Sequence, residues 1–80
     1  MKVNLLGSRT VNFTNNEGQT ITGTSVWLAW GLTGENASGY EAEKFFIADS
    51  GAVKLPVLTL DAEYEADFNN KGKLVSLTAR

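Results

Sequence analysis

The chain has 80 residues with seven basic and nine acidic side chains, which gives a net charge of −2. It contains no cysteine and no histidine, so disulfides, thiolate metal sites and a cysteine nucleophile are excluded, and the commonest general base and zinc ligand are missing. This length predicts one domain, residues 1–80, with a small core and marginal stability. The acidic balance also differs from the basic excess of most nucleic-acid-binding proteins.

The first predicted element is a long strand from Lys2 to Thr14. Odd positions are mostly apolar and even positions mostly polar, with Leu6 as the exception, which is the period of a half-buried strand. The residues predicted to share its mostly apolar face are Val3, Leu5, Gly7, Arg9, Val11 and Phe13. Gly7 interrupts this pattern, and a glycine inside a strand often marks a bulge or bend.

Turns and strands alternate in the next part of the chain. Asn15-Asn16-Glu17-Gly18 predicts a hairpin turn because asparagine and glycine tolerate turn conformations. Thr20 to Trp30 is rich in β-branched and aromatic residues and predicts strand two. Gly31 to Gly39 predicts a loop, Glu43 to Ala48 a short third strand, and Asp49-Ser50-Gly51 a turn.

The last third of the chain predicts an irregular connection and a hairpin. Val53 to Leu60 is apolar but contains Pro56, which predicts an edge segment or irregular connection with room for a single helical turn. Glu63 to Phe68 alternates cleanly and predicts strand four, with one acidic face exposed to solvent. Asn69 to Gly72 predicts a second hairpin turn, and Lys73 to Thr78 predicts strand five.

The order of these elements predicts an all-β fold. The two turn sequences, NNEGQ and NNKGK, indicate shared turn chemistry, a type I turn closed by a glycine, rather than an internal duplication. Five strands, two tight hairpins and no long helix match a compact five-stranded Greek-key barrel of the OB type, with an SH3-like barrel as the alternative. Either barrel would remove most exposed strand edges.

The two tryptophans, Trp27 and Trp30, lie three positions apart, which puts them on opposite faces of a strand. Trp30 shares its face with Val26 and Leu28 and is the better core candidate, so Trp27 is predicted to face outward. A bulge near Gly23 would reverse this assignment. By the same alternation, Phe45 and Ile47 are predicted to face inward and Phe46 and Lys44 outward.

The sequence predicts no enzyme, no cofactor and no metal site. It has no recognisable nucleophile or phosphate-binding motif. The three carboxylates of Glu63, Glu65 and Asp67 lie at spacing two on one strand face, where they could pair or hold a cation. We interpret them instead as a solvated acidic face.

The outward aromatic residues predict a binding surface. Exposed rings on a barrel face, mixed with lysine and arginine, form a platform on which single-stranded bases stack, while the cations contact phosphates. The predicted stacking residues are Trp27, Phe46 and Tyr40, and the predicted phosphate contacts are Arg9, Lys44, Lys71 and Lys73. As an alternative, the same aromatic residues pack against a second subunit, another protein or the end of the barrel.

Several stretches resemble a known family. The runs KVNLLGSRTVNFTNNEGQTITGTSVWLAW, FFIADS and LDAEYEADFNNKGKLVSL are similar in pattern to small single-stranded DNA-binding replication proteins of phages and Gram-positive mobile elements. The filamentous-phage helix-destabilising proteins belong to this group. The resemblance implies an OB fold, a dimer, and non-enzymatic coating of single-stranded DNA. FTNNEGQ and DFNNKGK support it best.

The expected location is the cytoplasm of a bacterium or of a host of its mobile elements. The start Met1-Lys2-Val3-Asn4 leads into no signal-peptide core, and no apolar run approaches the roughly 20 residues that span a bilayer. The sequence therefore predicts a non-enzymatic module that binds single-stranded DNA as a homo-oligomer, without a membrane or a small-molecule substrate. A protein-interaction or assembly module is the alternative.

Overall fold

The computed structural model describes residues 1–51 and 53–80, which form five antiparallel β-strands. The strands are β1 (Lys2–Thr14), β2 (Thr20–Gly31), β3 (Tyr40–Ala48), β4 (Glu63–Phe68) and β5 (Leu74–Ala79). The described residues contain no helix, so nothing in them forms an apolar helix long enough to cross a membrane. The all-β prediction is confirmed, although β3 begins three residues earlier than predicted and β5 is displaced by one.

The strands form one sheet in the order β3-β2-β1-β4-β5. Because β4 returns to lie beside β1, the order of the first four strands is that of a Greek key. The sheet is not closed: β3 and β5 are its two edges, and no hydrogen-bonded pairing joins them within residues 1–51 and 53–80. This arrangement is compatible with the small barrel-like fold predicted from the sequence, but the strand ladder does not close on itself within the described residues.

The strand β1 changes face in its middle. Its pairing with β2 shifts register between Leu5, which lies opposite Leu28, and Gly7, which lies opposite Trp27. An extra residue in one strand reverses the alternation beyond it. The predicted bulge at Gly7 is confirmed, but the prediction of one continuous apolar face is wrong. Val3 and Leu5 face the core, whereas the distal residues Val11 and Phe13 lie on the opposite face.

The core lies on the concave face of the sheet, which we call the inner face. Its buried residues are Val3, Leu5, Val26, Leu28, Ile47, Tyr64, Ala66 and Leu77. Three half-buried aromatic rings, those of Trp30, Phe45 and Phe68, pack against this core. Phe68 lies 5.3 Å from Phe45 and 6.4 Å from Trp30 between ring centroids, so packing brings the end of β4 against β2 and β3. The inward predictions for Trp30, Phe45 and Ile47 are confirmed.

The connection from Val53 to Leu60 packs on this core without forming the helical turn that its sequence allowed. Val53, Leu55 and Leu58 contact the core cluster. The Tyr64 hydroxyl donates a hydrogen bond to the Val57 carbonyl, 2.9 Å away, and accepts one from the Thr59 amide at 2.7 Å. Tyr64 therefore supplies hydrogen-bond partners to two backbone groups of a segment that pairs with none of the five described strands.

The two hairpin turns have the same hydrogen bonds. The Asn15 side-chain oxygen accepts from the amides of Glu17 and Gln19, and the Asn69 oxygen accepts from the amides of Lys71 and Lys73, all at 2.9–3.0 Å. Gly18 and Gly72 both have φ of 79°, a left-handed conformation that favours glycine. The prediction of shared turn chemistry is confirmed.

The hairpin of β1 and β2 extends beyond the rest of the sheet. Pairing between β2 and β3 ends at Gly23, and β4 pairs only with residues 2–4 of β1. Residues 12–14 of β1 and 20–22 of β2 therefore form a two-stranded ribbon, which we call the arm. With the arm, the molecule is 48 Å long. Along the arm β1 pairs with β2 on one side, and no other strand of residues 1–51 and 53–80 pairs with its second edge.

Candidate nucleic-acid interface

The face of β1, β2 and β3 that points away from the core brings together five of the seven predicted binding residues. Direct cross-strand neighbours are Gly7, Trp27 and Lys44 in one row, and Arg9, Ser25 and Phe46 in the next. Tyr40 lies opposite Gly31 at the end of the sheet. We call this surface the outer face. Its residues are Lys2, Asn4, Leu6, Gly7, Arg9, Val11, Phe13, Ile21, Gly23, Ser25, Trp27, Ala29, Gly31, Tyr40, Ala42, Lys44, Phe46 and Ala48.

The outer face contains no carboxylate, although the chain has a net charge of −2. Lys2, Arg9 and Lys44 are its three charged residues, and Lys2 lies 3.4 Å from Glu63 of the neighbouring strand β4. The acidic residues of β3, Glu41 and Glu43, alternate with Lys44 and therefore point to the opposite side of that strand. The nearest carboxylates on this side of the sheet are those of Glu63 and Glu65 on β4, which lie opposite Asn4 and Lys2. Glu63 lines a groove with Tyr40 at that end of the outer face, whereas no carboxylate lies in the rows of Trp27 and Phe46.

Most of the carboxylates of β4 are engaged within the protein. The Met1 amino group lies 3.0 Å from Glu65, and Lys2 lies 3.4 Å from Glu63. Arg80 approaches both glutamates at 3.8–4.0 Å. Asp67 accepts a hydrogen bond of 2.9 Å from Ser76. Ion pairs this exposed add little stability, but they balance the charge beside the outer face. No metal-binding cluster of acidic residues occurs in the described part of the chain.

Trp27 lies at the centre of the outer face, in agreement with the outward orientation predicted from alternation along β2. Pairing through Gly23 is continuous, so the bulge that would have reversed the assignment is not present in β2. The ring is half-buried, with the Lys44 ammonium 5.6 Å from its centroid. At this distance a cation interacts favourably with the face of the indole ring. Lys44 thus occupies the position that a base or another cation would take.

Phe46 and Phe13 form an exposed aromatic pair beside this centre. Their ring centroids are 6.4 Å apart with an interplanar angle of 57°, within the range of favourable aromatic contacts. The two side chains are 43% and 45% exposed. Sequence reasoning missed Phe13 because uninterrupted alternation placed it with Val3 and Leu5. The signal that would have found it was Gly7, since a bulge there moves Phe13 to the outer face.

Lys73, which directly precedes the edge strand β5, lies near the outer face at the side of β3. A groove of about 380 Å³ lies between β3 and the turn after β4, and it is lined by Lys44, Phe46 and Lys73, among others. Glu43 also lines it, so its charge is mixed. Lys71 is exposed on the same turn but does not line the groove. Six of the seven predicted binding residues therefore lie on the outer face or line the groove beside it, and Lys71 is the exception.

Tyr40 marks the opposite end of the outer face and is 80% exposed. It borders a shallow groove of about 310 Å³ with Leu6, Asn4, Ala29 and Ala42. Leu6, the exception in the alternation of β1, is therefore explained by the bulge, which leaves it 51% exposed on the outer face.

Comparison with known proteins adds no relative. No protein-family model matches the chain, and neither the curated proteins nor the solved structures contain a match. The fold and the surface define an open, all-β Greek-key sheet with an aromatic and basic outer face.

Proposed function

We propose that this protein is a non-enzymatic module that binds single-stranded nucleic acid across the outer face of β1, β2 and β3. One observation supports this proposal above the others. In a chain of net charge −2, these three strands present four aromatic rings, three cations and no carboxylate on that face, and the carboxylates of Glu63 and Glu65 adjoin only its Lys2 end. Aromatic rings that alternate with cations suit a strand whose bases stack and whose phosphates need neutralisation.

The arrangement suggests how each group would act. Phe46, Phe13 and Tyr40 expose ring surface to which a base can add by stacking. At Trp27, a base would displace the Lys44 ammonium from the ring, and the freed lysine would contact a phosphate. Arg9 and Lys73 flank Phe46 and the groove beside it and would extend the phosphate contacts along the strand, with Lys71 as a peripheral contact.

The fold is compatible with this use. OB folds are partly open five-stranded Greek-key barrels that bind oligonucleotides on the face of strands two and three and with the loops after strands one and four. Here β4 returns beside β1, and the loop after β4 has Lys71 and Lys73. The chain also resembles the single-stranded DNA-binding replication proteins of phages and mobile elements. We propose replication or transfer of such an element as its setting.

Binding of oligo-dT is expected to weaken steeply with salt, because phosphate contacts release counterions. Lys44→Glu should reduce the slope of log K against log salt by about 1 in magnitude. Lys54→Glu makes the same charge change on an exposed side chain outside this face and should leave the slope close to that of the wild type. Fluorescence anisotropy of a labelled oligonucleotide at several salt concentrations measures both.

Two results would contradict the proposal. Absence of binding at micromolar protein and low salt would exclude the function. Equal effects of Lys44→Glu and Lys54→Glu would show that binding responds only to net charge and would exclude the outer face as its location.

A second candidate function is self-assembly through the arm. Phe13 is 45% exposed there, and Val11 and Ile21 lie half-buried beside it. One edge of β1 has no partner strand there in the part of the chain that the structure describes. Exposed apolar residues next to a free strand edge favour pairing with another chain, here a second copy.

Light scattering at increasing concentration tests this candidate. We expect the wild type to approach twice the monomer mass and Phe13→Ser to remain monomeric, because serine removes the exposed ring without disturbing the core. A wild type that stays monomeric throughout would exclude self-assembly through the arm. An oligomer unaffected by Phe13→Ser would place the interface elsewhere.

A further inference from the structure

Every glycine that lies within a strand faces an aromatic ring of the outer face. Gly7 and Gly31 are direct cross-strand partners of Trp27 and Tyr40, and Gly23 lies diagonal to Phe46. These three glycines do not have the positive φ of the loop glycines. Their backbone conformation therefore does not require glycine, and in strands glycine is unfavourable.

The space above each glycine is filled to a different degree. A Cβ at Gly23 would lie 2.6 Å and 2.9 Å from two ring atoms of Phe46 and 2.5 Å from the Ile47 carbonyl oxygen. A Cβ at Gly7 would lie 3.8 Å from the Trp27 ring, and one at Gly31 would lie 4.0 Å from the Tyr40 ring. Only at Gly23 does the ring occupy the place of the missing side chain.

Burial of the glycines follows the same order. Gly23 is buried, Gly7 is half-buried and Gly31 is exposed, although all three lie on the face away from the core. The cover over Gly23 is the Phe46 ring, whose other neighbour is Phe13 at 6.4 Å between centroids. The ring is thus fixed from below by the bare backbone and from the side by a second ring.

We infer that Gly23 is a positioning residue that seats the Phe46 ring against the sheet and so presents one ring surface for base stacking. Its importance for binding rests on the proposed function. Any larger side chain at this position would lift the ring and remove the preorganised surface. Gly51, which lies in the turn after β3 and outside the outer face, serves as the control because its φ is not positive.

The binding test compares alanine at the two glycines. Gly23→Ala should weaken oligo-dT binding about 5- to 150-fold, the loss of one stacked base, while Gly51→Ala should change it less than twofold. In a Phe46→Ala background, Gly23→Ala should cause no further loss of affinity, because the ring through which it acts is gone. An additional loss of the same size in that background would overturn the inference.

A second measurement tests the position of the Phe46 ring independently of protein stability and of oligo-dT binding. Alanine at position 23 also meets the Ile47 carbonyl, so some loss of stability is expected in either background. At least one Gly23 Hα resonance should be displaced from its ordinary value by the ring current of Phe46 and return to that value in Phe46→Ala. Unshifted resonances in the wild type would overturn the inference. This measurement uses no nucleic acid, so it decides the seating of the ring even if oligo-dT does not bind.

Discussion

Replacement of Tyr64 by alanine is expected to lower the free energy of unfolding by about 3–5 kcal/mol, the usual cost of removing a large buried aromatic side chain. Tyr64 is 2% exposed and is the largest fully buried side chain. It also makes both hydrogen bonds that tie the connection at Val57 and Thr59 to the sheet. In a domain of this size, a loss of that magnitude removes most of the stability.

Tyr64→Phe separates packing from hydrogen bonding. It keeps the ring and should lower the free energy of unfolding by about 1–2 kcal/mol, because the Val57 carbonyl and the Thr59 amide lose their partner. Tyr40→Phe is the matched control, since that hydroxyl belongs to a side chain that is 80% exposed. Urea unfolding followed by tryptophan fluorescence measures all three variants. Equal stability of Tyr64→Phe and Tyr40→Phe would show that the connection is held by apolar contacts alone.

The strands and turns could be predicted from the sequence because their signals are local. Alternation with β-branched and aromatic residues located β2 and β4, and the pattern of asparagine and glycine located both hairpin turns, whose hydrogen bonds span only five residues. The faces of Trp27 and Trp30 also followed from alternation, since β2 pairs without interruption from Thr20 to Trp30 except opposite the bulge of β1.

The face of the distal half of β1 could not be read from alternation alone. Val3 and Phe13 are both odd-numbered apolar residues, yet one is 1% and the other 45% exposed. Gly7 indicated that a bulge was present, but a glycine does not specify how many residues the bulge adds. Only the pairing with β2 determines that number, and it is a long-range property.

Closure of the sheet and the separation of charge depend on tertiary structure as well. Whether β3 meets β5 is decided by the twist of the sheet and by packing around Phe68, not by the sequence of either strand. Net charge likewise says nothing about which face lacks carboxylates. The outer face could be defined only once the register had placed Lys44 beside Trp27 and Glu43 on the other side of β3.

Trp27 offers the most direct test of the proposed interface, because the chain has one tryptophan on each face of β2. In a Trp30→Phe variant, oligo-dT should quench the emission of Trp27, since stacking brings a base onto the indole ring. In a Trp27→Phe variant, the emission of Trp30 should change little, because that ring packs against the core and Phe68.

Trp27→Ala should weaken binding about 5- to 150-fold, which corresponds to about 1–3 kcal/mol for one stacked base. Val57→Ala is the control, since Val57 is 87% exposed in the connection before β4 and lies outside the outer face. Because Lys44 contacts the indole ring at 5.6 Å, Lys44→Gln should also alter the emission of Trp27 before any oligonucleotide is added. Quenching of Trp30 in place of Trp27 would move the binding surface to the inner side of the sheet, where Glu41 and Glu43 lie, and would contradict the proposed interface.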